Sequence, residues 1–218
     1  MPIRIGLQHI DRWNESLEKQ VVAYEQENAP LGQIVFYGPS NFTRWSRKWE
    51  HTPLREAIVG ASGAACCINR GFGSTCPEHQ LYYYPRMVKA LQPKVLVYTP
   101  LPGNGTLFGY SRQENFELAQ RVVAYALADF PDIKIYLSGS SPTRDITPEK
   151  MAEREAYSAL IKEFVKSTPR CTYVDILNHK PLWEKDLYVA DGVHYNQKGY
   201  DVYADFFREV LKDELAEF

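Results

Sequence analysis

No apolar run in this sequence approaches the roughly 20 residues needed to cross a bilayer. Nor is there a stripe of basic residues: 25 lysines and arginines are interspersed with 27 aspartates and glutamates, leaving a formal charge of −2. Nucleic acid and an anionic membrane are therefore poor partners. Cysteine is scarce, four in 218 residues, with no Cys-x-x-Cys pair and no Cys/His spacing suited to zinc. We expect reduced thiols, no metal and no cofactor. Cys66 and Cys67, adjacent in an apolar run, should point to opposite faces of a strand. Met1 to Asp11 lacks the apolar core and cleavage pattern of a signal peptide, so the expected location is cytoplasmic. Repeats, linkers and low-complexity segments are missing as well.

What is present is a core. The chain is 44% apolar and 13% aromatic, and its length suits one α/β domain. Trp13, Leu17, Val21 and Tyr24 recur at helical spacing and predict a helix over 11–27, stopped by Asn28-Ala29-Pro30. We read residues 1–30 as a helical extension packed on a domain spanning 31–218; its surface could also serve a homodimer. Five short apolar runs then predict strands at 33–37, 64–68, 95–98, 133–137 and 172–176. Between them lie helical stripes: Phe42, Trp45 and Trp49; Leu81, Tyr84, Val88 and Leu91; Leu118, Val122, Tyr125 and Ala126; Tyr157, Leu160, Ile161, Phe164 and Val165, with Pro148 in the first turn. Tyr200, Tyr203, Ala204, Phe207 and Leu211 mark the final helix. Residues 58–63 and the Pro/Gly-rich stretch 99–110 read as irregular. Apolar strands alternating with helices make a parallel sheet covered on both faces. Sites in such sheets form beyond the C-terminal strand ends. That rule selects the loops at Ser40, Gly71 to Ser74, Asn104, Ser138 to Arg144 and Trp183 to His194.

The chemistry concentrates in Asp191-Gly192-Val193-His194. A carboxylate three residues before an imidazole can hold Nδ1 and leave Nε2 free as a base. Ser40, at a strand-to-helix turn, is the candidate nucleophile, facing amides that would favour an oxyanion. Asn104 could add a side-chain donor, and Gly71, Gly73 or Ser74 a backbone N–H. Taken singly, each has an ordinary role: Ser40 as a helix cap, Asn104 as a turn residue, the glycines as a tight turn. Their joint order and placement carry the argument.

These residues resemble the SGNH hydrolases, an esterase and acylhydrolase superfamily. The resemblance runs from Ile34 to the last helix. It is anchored on Phe36-Tyr37-Gly38-Pro39-Ser40, Asn69-Arg70-Gly71-Phe72-Gly73, Gly103-Asn104 and Asp191-Gly192-Val193-His194. It is nearest to the platelet-activating-factor acetylhydrolase-like branch. The likeness implies a flavodoxin-like α/β/α sandwich around a five-stranded parallel sheet. It also implies Ser40 as nucleophile, His194 as base then acid and Asp191 as orienting carboxylate. The oxyanion hole would be Ser40, Gly73 or Ser74, and Asn104. Three positions depart from the family's pattern. Pro39 removes an amide before the nucleophile. Ser74 stands where an oxyanion glycine is usual, so a positive φ there would be costly. Gly105 replaces a common aspartate and should loosen the substrate loop.

The activity expected is hydrolysis of short-chain esters, acetyl first, of a sugar or other small alcohol, with no obvious apolar lid. Alternatives are a thioesterase or lysophospholipase on the same triad, or a degenerate hydrolase that binds acylated ligands. A phosphate binder would leave Asp191 and His194 unexplained. Trp183, Leu187 and Tyr188 either pack an irregular loop or wall the substrate pocket. Arg144 suits a salt bridge better than a charged substrate. His9, His51, His79 and His179 read as surface or packed residues, and of Tyr82, Tyr83 and Tyr84 the last is the core residue.

Overall fold

The computed structural model describes residues 8–12, 14–100 and 102–218. Trp13 and most of Met1–Asp11 lie outside them. Five strands, β1 (Ile34–Gly38), β2 (Cys67–Gly71), β3 (Val95–Tyr98), β4 (Lys134–Ser138) and β5 (Cys171–Val174), form one all-parallel sheet in the order β2-β1-β3-β4-β5. The chain leaves β1 for β2 on one side and returns to β3 on the other, so the order reverses at the C-terminal end of β1. Ligands of open parallel sheets bind at such a switch point.

Side chains alternate across the sheet with a period of two. Val35, Tyr37, Leu96, Tyr98, Ile135 and Leu137 enter one core, and Ile34, Phe36, Val95, Val97 and Tyr136 the other. Over the first core lie α1 (Asn14–Glu25), α4 (Pro77–Met87), α6 (Arg112–Asp129) and α7 (Pro148–Ser167). Over the second lie α2 (Ser40–Thr43), α3 (Leu54–Ala57) and α8 (Gln197–Val210). The result is a three-layer α/β/α sandwich of flavodoxin-like strand order. Caps set the helix starts: Ser111 and Glu114 form a capping box on α6, and Thr147 caps α7 with Pro148 in its first turn. No helix among the described residues is long and apolar enough to cross a membrane.

Helix α1 lies on α4. Leu17 and Val21 enter the first core, Tyr83 donates to Asn14 Oδ1, and Arg86 pairs with Glu18 and Glu25. This cover explains why Tyr83 is buried beside Tyr84 while only Tyr82 is exposed.

The second core is aromatic. Phe36 meets Phe207 at 5.1 Å between ring centroids, and Trp45 sits 5.4 Å from both Tyr200 and Tyr203. Edge-on and tilted contacts of this kind add about 0.5–1.5 kcal/mol each beyond area burial. They clamp α8 onto β1 and α2.

Several local expectations fail for physical reasons. Phe42, Trp45 and Trp49 do not share one helix: α2 lasts a single turn, and a 3-10 turn at Arg47–Trp49 follows. Phe42 and Trp45 are buried, whereas Trp49 is exposed. The second strand begins at Cys67 and absorbs Asn69-Arg70-Gly71, because Arg70 turns its guanidinium to Glu27 and Tyr24 instead of solvent. Cys66 therefore precedes the strand. Its sulfur lies 4.0 Å from that of Cys67, and both enter the second core instead of opposite faces. The four thiols are all free. The stretch 99–110 is not all loop, since Pro102–Leu107 forms helix α5. Gly105 does not loosen it: a Cβ there would fall 1.8 Å from Asn115 Oδ1, so Gly105 permits a close approach of α5 to α6. On α6 the inward face is Phe116, Ala119, Val122, Val123 and Ala126, and Tyr125 points out.

Gly71 is where β2 meets α2. A Cβ there would lie 2.0 Å from the Thr43 nitrogen and 2.3 Å from the Phe42 carbonyl carbon. Because both are backbone atoms, no rotamer change relieves the clash. We predict that Gly71→Ala destabilises the protein by about 3 kcal/mol, read as a lower urea midpoint. Gly103→Ala, whose Cβ meets nothing within 4 Å in an exposed helical turn, should be neutral or raise stability by about 0.5 kcal/mol.

Candidate active site

Ser40 opens α2 directly after β1, with Pro39 as the preceding cap residue in extended conformation. The Pro39 carbonyl accepts from the amides of Phe42 and Thr43. The missing proline N–H is thus one the turn does not require, and the first amides of α2 point forward without intrahelical acceptors. Asn69 staples this turn from the side: its amide donates to the Phe42 and Trp45 carbonyls while its oxygen accepts from the Gly71 amide.

From the other end of the chain, the loop before α8 arrives at the same place. Tyr200 donates its hydroxyl to the Asn41 carbonyl at 2.8 Å. His194 Nε2 stands 2.8 Å from Ser40 Oγ, and His194 Nδ1 2.7 Å from Asp191 Oδ2. The other carboxylate oxygen, Oδ1, accepts from the amides of Val193 and His194, each at 2.9 Å. A hydroxyl, an imidazole and a carboxylate from positions 40, 194 and 191 are therefore in one hydrogen-bonded line.

The loop that presents Asp191 is held by Arg144. Its amide donates to the Gly192 carbonyl and its guanidinium to the carbonyls of Val189 and Ala190, with Asp145 as its ion partner. Gly192 itself takes the left-handed conformation, φ +67°. Arg144 spends its side chain on this loop and on Asp145, in accord with a salt-bridge role and not with substrate binding.

Desolvation alone would raise the Asp191 pKa. The amides of His194 and Val193 and the His194 ring outweigh it and hold the carboxyl well below the usual aspartate range.

Of the expected oxyanion donors, the Gly73–Ser74 segment borders Ser40. A Cβ on Gly73 would lie 3.7 Å from Ser40 Cα and Cβ, so the Gly73–Ser74 backbone runs beside the hydroxyl. Ser74 has φ +62°, the left-handed conformation that the glycine-like position requires. Asn104 lies in the first turns of α5, where Nδ2 donates to the Thr75 carbonyl at 2.8 Å. One of its two N–H bonds is thereby fixed to the segment carrying Ser74, and the second stays uncommitted. Trp183 and Tyr188 are engaged in packing. The indole N–H of Trp183 donates to the Leu177 carbonyl, and Tyr188 is buried with its hydroxyl on the Leu182 carbonyl.

Sequence reasoning missed Arg44. Its amide bonds the Ser40 carbonyl at 2.8 Å, and its guanidinium reaches Asp191 Oδ2 at 3.4 Å. The only hint was its place one turn after Ser40. Among the described residues no group of three or more His, Cys, Asp or Glu side chains could hold a metal.

Comparison with known proteins gives a consistent picture. Residues 32–202 match the model of the GDSL-like Lipase/Acylhydrolase family. No curated protein sequence matches significantly. Among solved structures, a protein from Streptococcus pneumonia provisionally described as a platelet activating factor is similar at TM-score 0.74 and 16% identity, covering 94% of this chain and 96% of that one. A GDSL-like lipase from Bacteroides thetaiotaomicron is similar at TM-score 0.66 and 18% identity, over 94% and 98%. A carbohydrate esterase family 3 protein from Talaromyces cellulolyticus gives TM-score 0.62 and 16% identity, over 86% and 100%.

Two outcomes follow from the geometry. Asp191 has a folded pKa below its unfolded value, so its stabilising contribution is full above about pH 4 and is lost as pH falls further. The stability difference between wild type and Asp191→Asn should therefore be present at neutral pH and close in acid, as followed by denaturant melts from pH 7 to pH 2. Ser74→Gly removes the left-handed strain and should raise stability by about 0.5–1 kcal/mol, whereas Ser74→Ala should not.

Proposed function

The chain belongs to the GDSL-like lipase/acylhydrolase family, and on that premise we propose that it is a serine esterase whose triad is Ser40, His194 and Asp191. The observation that carries the reading is the unbroken line from Ser40 Oγ through the His194 ring to Asp191 Oδ2, with contacts of 2.8 and 2.7 Å. A serine hydroxyl is a weak nucleophile until a base takes its proton, and Nε2 lies where that base must be. Asp191 fixes the tautomer by receiving Nδ1–H, and its ionised state favours the imidazolium that forms.

Attack of Ser40 Oγ on an ester carbonyl moves a negative charge onto the carbonyl oxygen. The Ser40 amide, the backbone at Gly73–Ser74 and the second N–H of Asn104 are the donors available to it. His194 then protonates the departing alcohol, leaving an acyl-serine. Water, deprotonated by the same imidazole, attacks the acyl carbon and frees Ser40. Besides the ester and this water, these steps draw only on groups of the chain.

For substrate class we infer a short acyl group, acetyl first, on a sugar or other small alcohol. Support comes from the resemblance to the acetylhydrolase-like branch and from the presence of an acetyl xylan esterase among the similar folds. The alternatives of longer acyl chains or thioesters use the same triad and differ only in the pocket. A purely binding role is disfavoured by the contact between Ser40 and His194, since a degenerate hydrolase has no need to keep it.

A fluorophosphonate should label Ser40 in the folded protein, and Ser40→Ala should abolish labelling. On aryl acetates we expect Ser40→Ala to lower kcat by at least about 10³-fold, with activity falling as the acyl chain lengthens from acetyl to octanoyl. Full activity in Ser40→Ala would end the esterase reading. A maximum at octanoyl would leave the triad standing and remove the acetyl preference.

A further inference from the structure

Asp191 is unusual for a triad carboxylate in its exposure: its side chain is 41% accessible. Water competes for such a carboxylate and lets it rotate, which weakens its hold on an imidazole. Oδ1 is fixed by two backbone amides. Oδ2, the oxygen that receives His194, is met by a second donor, Arg44 Nη1 at 3.4 Å.

Arg44 is itself held. Its guanidinium carbon lies 4.4 Å over the Trp49 ring, on the 3-10 turn that ends at left-handed Glu50. Its amide is bonded to the Ser40 carbonyl. One residue thus touches both chain segments that make the line, its backbone on the serine side and its side chain on the carboxylate side. The planar guanidinium, stacked on an indole, loses little freedom when it makes this contact.

We propose that Arg44, clamped by Trp49, is a positioning residue that orients Asp191 toward His194. The inference rests on the esterase reading given above. A fixed cation on Oδ2 restricts the rotation of a carboxylate that water would otherwise loosen, and so keeps Oδ2 on His194 Nδ1. Other charged or titratable groups lie around this contact. Arg144 and Asp145 approach Gly192 from the loop after β4, Tyr200 lies near both Arg44 and Asp191 from α8, and His51, with Glu50 and Asp201 beside it, lies near Arg44 after the Trp49 turn. Arg144 is occupied by carbonyls and Asp145, which leaves Arg44 as the cation on Oδ2 itself.

The test is two rates, fluorophosphonate labelling of Ser40 and turnover of an aryl acetate, in wild type, Arg44→Gln, Arg44→Lys and Trp49→Ala. In Arg44→Gln kcat should fall about 3- to 10-fold with KM within twofold, and labelling should slow by a similar factor. Arg44→Lys should restore part of kcat through its charge but not all of it, for want of the planar guanidinium over Trp49. Trp49→Ala should lie between wild type and Arg44→Gln. Unchanged kcat and labelling in Arg44→Gln, or a rise in KM at constant kcat, would overturn the proposal while labelled wild-type Ser40 keeps the esterase reading. Wild-type protein unlabelled at Ser40 would sink that reading and this inference with it.

Discussion

The contact on which the site depends is not within the Ser40–His194–Asp191 line but beneath it: the docking of α8 against β1 and α2. Ser40 and His194 are 154 positions apart, and closing so long a loop has an entropic cost that a single hydrogen bond of about 1 kcal/mol cannot offset. Burial of Phe36, Phe42, Trp45, Tyr200, Tyr203 and Phe207 in one aromatic cluster supplies the difference. Tyr200 then converts packing into register. Its hydroxyl bonds the Asn41 carbonyl, one residue after Ser40, so α8 cannot slide without breaking a buried hydrogen bond. The serine–imidazole contact results from this docking and does not drive it.

Around that anchor, the two halves of the site are held in different ways. Ser40 sits at the sheet's switch point, where its turn is fixed by Asn69, by the close approach of Gly71 and by the Pro39 carbonyl. This is support by backbone contact, which rotamer changes cannot loosen. Asp191 and His194 arrive on a loop outside the cores. There the support is electrostatic and directional: two amides on one oxygen of Asp191, two donors on the other, and Arg144 across the carbonyls behind. Interactions of the second kind respond to pH and ionic strength, and those of the first do not.

Those differences explain what could be read from the residues alone. The five strands were legible because each is a short apolar run, and parallel sheets buried on both faces produce such runs. The Asp-x-x-His spacing was legible because a three-residue offset places carboxylate and ring on one turn. The C-terminal end of the second strand was not, since Asn69 and Arg70 look like loop residues until one sees that Arg70 is buried against Glu27 and Tyr24. The helix expected through Phe42, Trp45 and Trp49 failed for a related reason: their spacing fits a helix, but Trp49 is spent on Arg44 outside the core. Arg44 escaped notice because its importance lies in a contact 147 positions away, which no local pattern encodes. Which of Tyr82 and Tyr83 would be exposed was not legible, because α1 covers the face of α4 that carries Tyr83 and leaves Tyr82 open.

Three positions at the site break local rules. Ser74 adopts a conformation that costs a non-glycine residue about 1–2 kcal/mol, next to Ser40. Pro39 stands where most residues would offer an amide, and Asp191 keeps a carboxylate ionised in a half-open loop. A chain selected for stability alone would place glycine at 74. The strain persists because β2, α2 and the Asn104–Thr75 bond over-determine the backbone there. With the Ser74 backbone turned beside Ser40 and Asn104 fixed to the next residue, these N–H groups are held in place by the fold itself. On the esterase reading proposed above, donors already in place need no reorganisation when charge develops on a carbonyl oxygen, which is the physical condition for stabilising it.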